Sequence, residues 1–360
     1  MEIKAYCPMA LPDDRLLTLR LGSDPDLRRR YMLLDEDLPG NVRFGLLLEI
    51  LDKLAEDAAL DYVRQAHPGA RVVTAAIDNI YIRASADVKR DIAFSARVNF
   101  VGRTSLEVGI RVEHPLGPHG EPPAHIASCY FTMVARSTAG DGAQSLVLPA
   151  FTPEGDLGHR RWNRAIARRE AYRQQQHQAQ EPPSREEYGL LAALHAAQDK
   201  PGFEGLLAAD CVTNGWERTY PEHENVPQKI FGGHLIRRAF EQSAICAEEV
   251  APDRPVIVAV NRINFVQPVR MGDKLHFVSR AVYAGATSVS VETEIIRISR
   301  DRTQTNLSNS CIFTFTNVDA GLRPQPVPAI YPTTYAEDAR YLAAHRRHQG
   351  HLAWKAARGR

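Results

Sequence analysis

The sequence predicts an α+β protein made of two similar halves, and three observations lead to that fold class. At 360 residues and 44% hydrophobic content, the chain is too long for a single core and can bury two. Spaced apolar and turn residues of the first half return in the second half. Each half also has a helical apolar stripe followed by strand-like runs. We therefore expect one long helix against an antiparallel sheet, formed twice.

The internal repeat runs without a gap across the predicted strands. Residues of the first half reappear 183 positions later as identical or conservative residues. The matched sets are Ala76, Ile92, Phe94, Gly102, Thr104, Ser105, Leu106 and Val108, and then Ala259, Leu275, Phe277, Gly285, Thr287, Ser288, Val289 and Val291. Residues 129–132 (CYFT) also match 311–314 (CIFT) at an offset of 182, so one loop differs by one residue. Duplication explains this spacing.

The first half predicts one long helix and then four strands. The helix begins at Phe44 and ends before His67-Pro68. Its apolar stripe consists of Leu47, Leu48, Leu51, Leu54, Ala55 and Ala58. The strand runs are rich in β-branched and aromatic residues and are separated by turn residues. They cover residues 72–82, 92–100, 105–113 and 126–135.

The helix of the second half begins with two glycines, Gly232 and Gly233, which we call the diglycine. Leu235, Ile236 and Phe240 follow on one helical face. Glycine weakens a helix, so a pair at this point indicates close approach of another segment or of a ligand. A helix start also offers unpaired N–H groups and a partial positive charge that can hold an oxyanion. The strand runs of this half are 256–266, 275–283, 288–298 and 309–318.

These patterns divide the chain into a first domain at 1–150, a connector at 151–205 and a second domain with a C-terminal extension at 206–360. The connector is rich in arginine and glutamine and is helical by propensity as far as Pro182-Pro183. Its arginines could hold phosphate, but a run of charge on a linker helix more often forms a solvated face. We therefore expect a solvated connector.

Composition narrows the classes of function. With 44 basic and 43 acidic side chains, the chain has no overall field that would draw it to nucleic acid or to a membrane. A small-molecule ligand is expected. No apolar run reaches the length of a membrane span, and the first residues show neither a signal peptide nor a transit pattern, which predicts a cytoplasmic protein. The five cysteines contain no CxxC pair, so we expect structural thiols, no metal and no cofactor.

Ordered motifs from Asn41 onward resemble the double hotdog acyl-CoA thioesterases, in particular the branch of the mitochondrial acyl-CoA thioesterase nine group. The motifs are 42–52 (VRFGLLLEILD), 73–80 (VTAAIDNI), 100–108 (FVGRTSLEV), 229–233 (KIFGG), 256–265 (VIVAVNRINF) and 331–335 (YPTTY). The resemblance implies a tandem double hotdog, in which two long helices are each wrapped by an antiparallel sheet and the sheets join side by side. It also implies hydrolysis of acyl-CoA to free fatty acid and coenzyme A, and a trimer of chains.

The resemblance further implies an active site between the paired helices. An acid on one helix activates water, while the start of the other helix and an amide side chain polarise the thioester carbonyl. When Gly45 is aligned with Gly233, at an offset of 188, the acid is Asp52 and its counterpart is Phe240. Asp52 should then face the diglycine, with Gln228 as the amide.

Further residues are candidates for substrate binding or for a second site. The substrate-binding candidates are Glu49, Lys229, Phe231, His234 and Arg103, of which Arg103 could meet a coenzyme A phosphate. The second site would use Asn41, Gly45 and Glu241, and we predict it to be non-catalytic because Glu241 lies one residue past the position of the acid. Without the resemblance, Asp52 and Glu49 read as ordinary acids of an amphipathic helix and His234 reads as a packing or capping residue.

The sequence is also compatible with two other functions. One is a non-catalytic protein that binds acyl-CoA or an acyl-carrier thioester, which would bind coenzyme A without turnover. The other is a hotdog hydratase or dehydratase, although the chain has no Asp-x-Asn-Pro-x-His segment of the kind those enzymes show.

Overall fold

The computed structural model describes residues 14–36, 38–118, 120–137, 144–178, 181–226, 229–261 and 263–356. The chain divides into two compact units. The first unit holds the described residues as far as Tyr172, together with Thr219–Arg238 and Asn261–Asp273. The second unit holds the remaining described residues. The units therefore do not follow the predicted boundaries at 150 and 205, because the division falls within the connector, after Tyr172. Two short segments of the second repeat also belong to the first unit.

The described residues form α-helices and strands, numbered in chain order. The helices are α1 (Pro25–Tyr31), α2 (Phe44–Ala66), α3 (Gly155–Gln178), α4 (Arg185–Gln198), α5 (Gly232–Glu248) and α6 (Tyr335–Ala356). The earlier strands are β1 (Arg15–Leu19), β2 (Arg71–Ile77), β3 (Ile80–Tyr81), β4 (Ile92–Val101), β5 (Ser105–His114) and β6 (Ala124–Arg136). The later strands are β7 (Leu206–Leu207), β8 (Val212–Arg218), β9 (Glu224–Val226), β10 (Lys229–Ile230), β11 (Arg254–Val260), β12 (Ile263–Asn264), β13 (Lys274–Ala284), β14 (Ser288–Ile298), β15 (Thr305–Val318) and β16 (Ile330–Tyr331). Among the described helices, none is long and apolar enough to span a bilayer.

The first unit contains an antiparallel sheet in the order β1-β4-β5-β6-β2-β12, and α2 packs on it. All six residues of the predicted apolar stripe of α2 are buried. Burial of each leucine contributes about 1.5–3 kcal/mol, so this face holds the helix to the sheet. The helix ends at Ala66 because His67 precedes a proline, which disfavours helical backbone at that residue. The predicted long helix is confirmed.

The second unit contains an antiparallel sheet with the order β11-β15-β14-β13-β8. The later turns of α5 pack on it, where the ring of Phe240 lies 5.4 Å from that of Phe313 and 5.8 Å from that of Phe315. Helix α6 covers β13, with the rings of Tyr283 and Tyr341 at 5.1 Å. The α+β fold is thus built twice, as the repeat predicts.

The two repeats also close the same β-hairpin. The N–H of Gly102 donates to the carbonyl of Ser105 at 2.7 Å, and the N–H of Gly285 donates to the carbonyl of Ser288 at 2.8 Å. These turns lie 183 residues apart. The duplication seen in sequence therefore extends to turn geometry.

Each repeat interrupts a strand that the sequence analysis predicts to be continuous. The runs 72–82 and 256–266 are each broken, after Ile77 and after Val260. The breaks fall at Asp78-Asn79 and at Asn261, because Asp and Asn favour turns over strands. After its break the second-repeat chain pairs Ile263 with Ile77, which adds β12 to the sheet of the first unit.

Helix α3 is not only a solvated connector, which corrects the sequence expectation. The guanidinium of Arg168 lies 3.5 Å from the ring centroid of Tyr130 and donates through Nε to Glu107 at 3.2 Å. The ring of Trp162 lies 4.5 Å from that of Phe100. Part of the arginine-rich run therefore packs on the sheet of the first unit, with its charge neutralised by the buried Glu107.

The described cysteines are buried and carry free thiols. They are Cys129, Cys211, Cys246 and Cys311, while Cys7 lies outside the described residues. Burial raises the pKa of each of these four thiols, which makes them poor nucleophiles.

Candidate functional site

The diglycine forms the first two residues of α5. Its approach is fixed by two backbone hydrogen bonds, from Ile230 N–H to Val269 at 3.0 Å and from Phe231 N–H to His223 at 2.8 Å. An α-helix leaves the N–H groups of its first turn without intrahelical partners. The predicted placement of the glycines at a helix start is confirmed.

Side chains lie against both glycines. A Cβ on Gly232 would lie 3.0 Å from the ring of Phe265 and 3.2 Å from Oδ2 of Asp52. A Cβ on Gly233 would lie 2.6 Å from the ring of Phe231 and 3.1 Å from Cβ of Asp52. Any larger residue would push these groups away. The glycines therefore leave room for two phenylalanine rings and for Asp52 of α2 beside the backbone of α5.

Asp52 is a buried carboxylate, only 1% exposed. The hydroxyl of Thr74 on β2 donates to its Oδ1 at 2.6 Å. Its Oδ2 is buried without a hydrogen-bond partner in the part of the chain that the structure describes. The carboxylate therefore has one oxygen fixed by Thr74 and a second oxygen turned toward the diglycine.

Opposing effects set the pKa of Asp52. Burial, the largest of them, raises the pKa to about 6, since a carboxylate without water is costly in its charged form. The hydrogen bond from the Thr74 hydroxyl lowers it, and so does the nearby N–H dipole of Gly233. The negative charge of Glu56 raises the pKa further, and the positive charge of Lys53 lowers it. A carboxyl with this pKa can gain and lose a proton near neutral pH.

A cleft of about 260 Å³ in the first unit is lined by residues next to Asp52 and the diglycine along the chain, while Asp52 itself lies buried behind this lining. Its lining comes from α2, from the segment before β10 and from the start of α5. The lining residues are Glu49, Lys53, Glu56, Glu222, His223, Glu224, Phe231 and His234. Three predicted substrate-binding residues, Glu49, Phe231 and His234, therefore meet here.

The lining of this cleft contains a pair of stacked histidines and an excess of negative charge. The ring of His234 is buried and stacks on His223, with centroids 3.9 Å apart. Glu49 accepts from Arg237 at 3.1 Å. Four glutamates against one lysine make the lining acidic, which does not suit the phosphates of coenzyme A.

The other predicted substrate-binding residues lie elsewhere or outside the description. Arg103 is exposed in the turn between β4 and β5, where its carbonyl accepts from Leu148 N–H at 2.8 Å. The structure does not bring Arg103 to the cleft, because the turn extends from the sheet rather than from the helix starts. Lys229 is described only through its backbone in β10, and Gln228 lies outside the described residues.

The amide of the predicted second site is already engaged, and the counterpart of Asp52 there is apolar. Both amide atoms of Asn41 are used, with Oδ1 accepting from the N–H groups of Leu33 and Leu34 and Nδ2 donating to the carbonyls of Leu34 and Glu36. Gly45 is buried within α2. Phe240, the counterpart of Asp52, packs on phenylalanines in the second unit, where Glu241 also lies. This geometry supports the prediction that the site is non-catalytic.

Several site residues were not predicted from sequence. Thr74, Glu56, Phe265 and the segment 222–224 all contact or line the site. For Thr74 one signal exists, since it is the polar residue within the apolar strand run RVVTAAI. A lone threonine is common in strands, so this signal does not single out a site.

A family model described as the thioesterase superfamily matches the chain in two segments, residues 41–116 and 230–303. The first segment contains α2 and the second contains α5. The matched segments therefore occupy equivalent parts of the two repeats.

Named relatives agree with this match. The chain is 29% identical over 346 residues to acyl-coenzyme A thioesterase 9, mitochondrial, of Homo sapiens, covering 91% of this chain and 75% of that protein. It is 34% identical over 118 residues to an uncharacterized acyl-CoA thioester hydrolase of Zymomonas mobilis, covering 33% of this chain and 79% of that protein. A solved acyl-CoA hydrolase of Bacillus cereus is 22% identical, with a TM-score of 0.41 and coverage of 43% of this chain and 96% of its own.

The relatives correct the expected location. Thioesterases of Homo sapiens, Bos taurus and Mus musculus that match this chain over most of its length are named as mitochondrial proteins. The prediction of a cytoplasmic protein is therefore wrong. It depended on the lack of an apolar run of membrane-span length and on the pattern of the first residues, and neither property reports the compartment of these relatives.

Proposed function

Because this chain belongs to the thioesterase superfamily, we propose that it hydrolyses acyl-CoA thioesters at a site formed by Asp52 and the start of α5. The observation that carries the proposal is the approach of Asp52 Oδ2 to the diglycine, at 3.2 Å from the Cβ position of Gly232. Hydrolysis of a thioester needs a base for water and donors for the oxyanion, and this geometry offers both.

Asp52 acts as the base in the proposed reaction. Its carboxylate removes a proton from a water molecule as the water oxygen attacks the thioester carbonyl carbon. The tetrahedral intermediate then collapses, the C–S bond breaks, and the coenzyme A thiolate takes the proton from Asp52. Thr74 holds one carboxylate oxygen at 2.6 Å, which leaves the other directed at the reacting water.

The start of α5 stabilises the negative charge that develops on the carbonyl oxygen. The unpaired N–H groups and the partial positive charge of a helix N-terminus suit an oxyanion. Absence of a Cβ at the diglycine lets the carbonyl approach the backbone. One donor and one base, supplied by different repeats, would then complete one site per chain.

The names of the relatives supply the substrate class, since they are acyl-CoA thioesterases and acyl-CoA thioester hydrolases. The products are a free fatty acid and coenzyme A. We also propose that the chains assemble as trimers, as the resemblance to double hotdog thioesterases implies.

The test compares wild-type protein with Asp52→Asn across a panel of acyl-CoA chain lengths, with free thiol release as the readout. We expect Asp52→Asn to lower kcat by at least about 100-fold, the usual scale for a general base. The control is Asp61→Asn, the same change on the same helix at an exposed pair with Arg15. That variant should keep the wild-type rate.

Two results would contradict the proposal. A folded Asp52→Asn protein with the wild-type rate would remove Asp52 from the mechanism. A wild-type protein that binds coenzyme A but releases no thiol from any acyl-CoA would favour the non-catalytic alternative.

A further inference from the structure

Glu56 is a buried carboxylate that the proposed reaction does not touch. It lies one helical turn after Asp52 on α2, lines the cleft and is only 7% exposed. Nζ of Lys53 lies 3.1 Å from Glu56 Oε2 and 3.1 Å from Asp57 Oδ1. A buried charge is costly unless it is paired, and the partner of Glu56 is this lysine.

Two neighbours of Asp52 stabilise its charged form and so oppose the effect of burial. The hydroxyl of Thr74 and the N–H of Gly233 both stabilise its charged form. A base that holds its negative charge too well accepts a proton from water poorly. A second negative charge close by would oppose this effect.

We propose that Glu56 is a positioning residue for the hydrolysis, whose negative charge keeps Asp52 a strong enough base while Lys53 limits that effect. The inference rests on the proposed function. Glu56 acts through Asp52 and does not contact the substrate carbonyl.

The remaining charged groups around Asp52 do not replace Glu56. On α2, Glu49 is paired with Arg237 of α5 at 3.1 Å, and Asp57 is paired with Lys53. From the neighbouring segment, Glu222 is exposed to solvent. Glu224, His223 and His234 also line the cleft.

Burial decides which member of the Lys53–Glu56 pair has the larger influence. The side chain of Glu56 is 9% exposed and that of Lys53 is 56% exposed. Water and salt screen an exposed charge more than a buried one. The net influence on Asp52 is therefore that of a negative charge.

The experiment measures kcat/KM against pH for the wild type, Glu56→Gln and Lys53→Met with one acyl-CoA substrate. Removal of the negative charge should move the acid limb of Glu56→Gln to lower pH by about half a unit or more. Removal of the positive charge should move the limb of Lys53→Met to higher pH. A defect of packing alone would lower the rate without moving the limb in opposite directions.

The control and the second variant keep the result decisive. Asp61→Asn, which removes a charge paired with Arg15 from the same helix, should leave the acid limb in place. If Glu56→Gln does not fold, the mostly exposed Lys53→Met still tests the sign of the effect. An active wild type whose acid limb stays put in both variants overturns this inference alone, whereas an inactive wild type overturns the proposed function.

Discussion

The fold buries the carboxylate of Asp52 and gives it few hydrogen-bond partners. One oxygen is held by Thr74 and the other has no hydrogen-bond partner among the described residues. Groups of this kind are costly for stability and are common where chemistry takes place. The same burial that makes Asp52 a candidate base should therefore weaken the folded protein.

The pH dependence of stability should show this cost. The folded pKa of about 6 lies above the ordinary value of 3.8 for an aspartate, so between these two pH values folded protein holds a proton that unfolded protein releases. Stability from this group is present at low pH and is lost as the pH rises through about 6, amounting to about 3 kcal/mol. Asparagine cannot lose a proton. As the pH rises from acid to neutral, the free energy of unfolding of the wild type should therefore fall relative to that of Asp52→Asn.

Urea unfolding at a series of pH values would measure the difference. Asp61→Asn serves as the matched control, because Asp61 pairs with Arg15 at the surface. Parallel stability curves for the wild type and Asp52→Asn would contradict a raised pKa at Asp52.

Helix α5 combines two requirements at its first turn. It needs a backbone without side chains where α2 approaches, and it needs N–H groups without intrahelical partners for the proposed oxyanion. A glycine pair meets both requirements at once. The structural and functional explanations of the diglycine are therefore the same explanation.

Gly233→Ala should damage this junction. Its Cβ would lie 2.6 Å from the ring of Phe231 and 3.1 Å from Cβ of Asp52, so the new methyl group must displace one of them. We expect a loss of about 1–3 kcal/mol in the free energy of unfolding, as for other overpacked sites. Thioesterase activity should fall as well, because Asp52 would move from the helix start.

Gly189→Ala on α4 is the matched control, because nothing lies within 4 Å of its Cβ position. This change should stabilise the protein by about 0.5–1 kcal/mol, since alanine is the better helix former. Chemical denaturation would measure both variants. Equal stabilisation by the two changes would mean that α2 and α5 are not in close contact at Gly233.

The two repeats share a framework and differ in chemistry. The positions of Asp52 and Thr74 are taken by Phe240 and Ile257 in the second repeat, with Ile257 paired across the sheet with Phe315. A carboxylate and a hydroxyl have thus been exchanged for apolar side chains that pack. A duplication in which one repeat lost its site explains why only the first repeat has an acid at this position.

A trimer of chains remains the expectation for the intact protein. Sedimentation equilibrium should report three times the mass of one chain over a range of protein concentrations. A single species with the mass of one chain would contradict the trimer, without bearing on the chemistry proposed for Asp52.

Local patterns in the sequence are sufficient for the repeated fold. Helix α2 follows from an apolar stripe at helical spacing, and the hairpins at Gly102 and Gly285 follow from turn residues that recur 183 positions apart. Such signals work because they depend on neighbours along the chain. They do not predict the strand breaks, although Asp78-Asn79 is of a residue type that favours turns.

The candidate site could not be assembled from these local signals, because its residues meet only after folding. Asp52, Thr74 and Gly233 lie in three different elements, and the burial of the carboxylate depends on all of them. A resemblance to known thioesterases pointed to Asp52 and the diglycine, but nothing near Thr74 or Glu56 marked them. The pKa of Asp52 depends on its burial and on the groups around it, and both arise only when the chain packs. The tertiary structure therefore decided this property, whereas the order of residues along the chain did not.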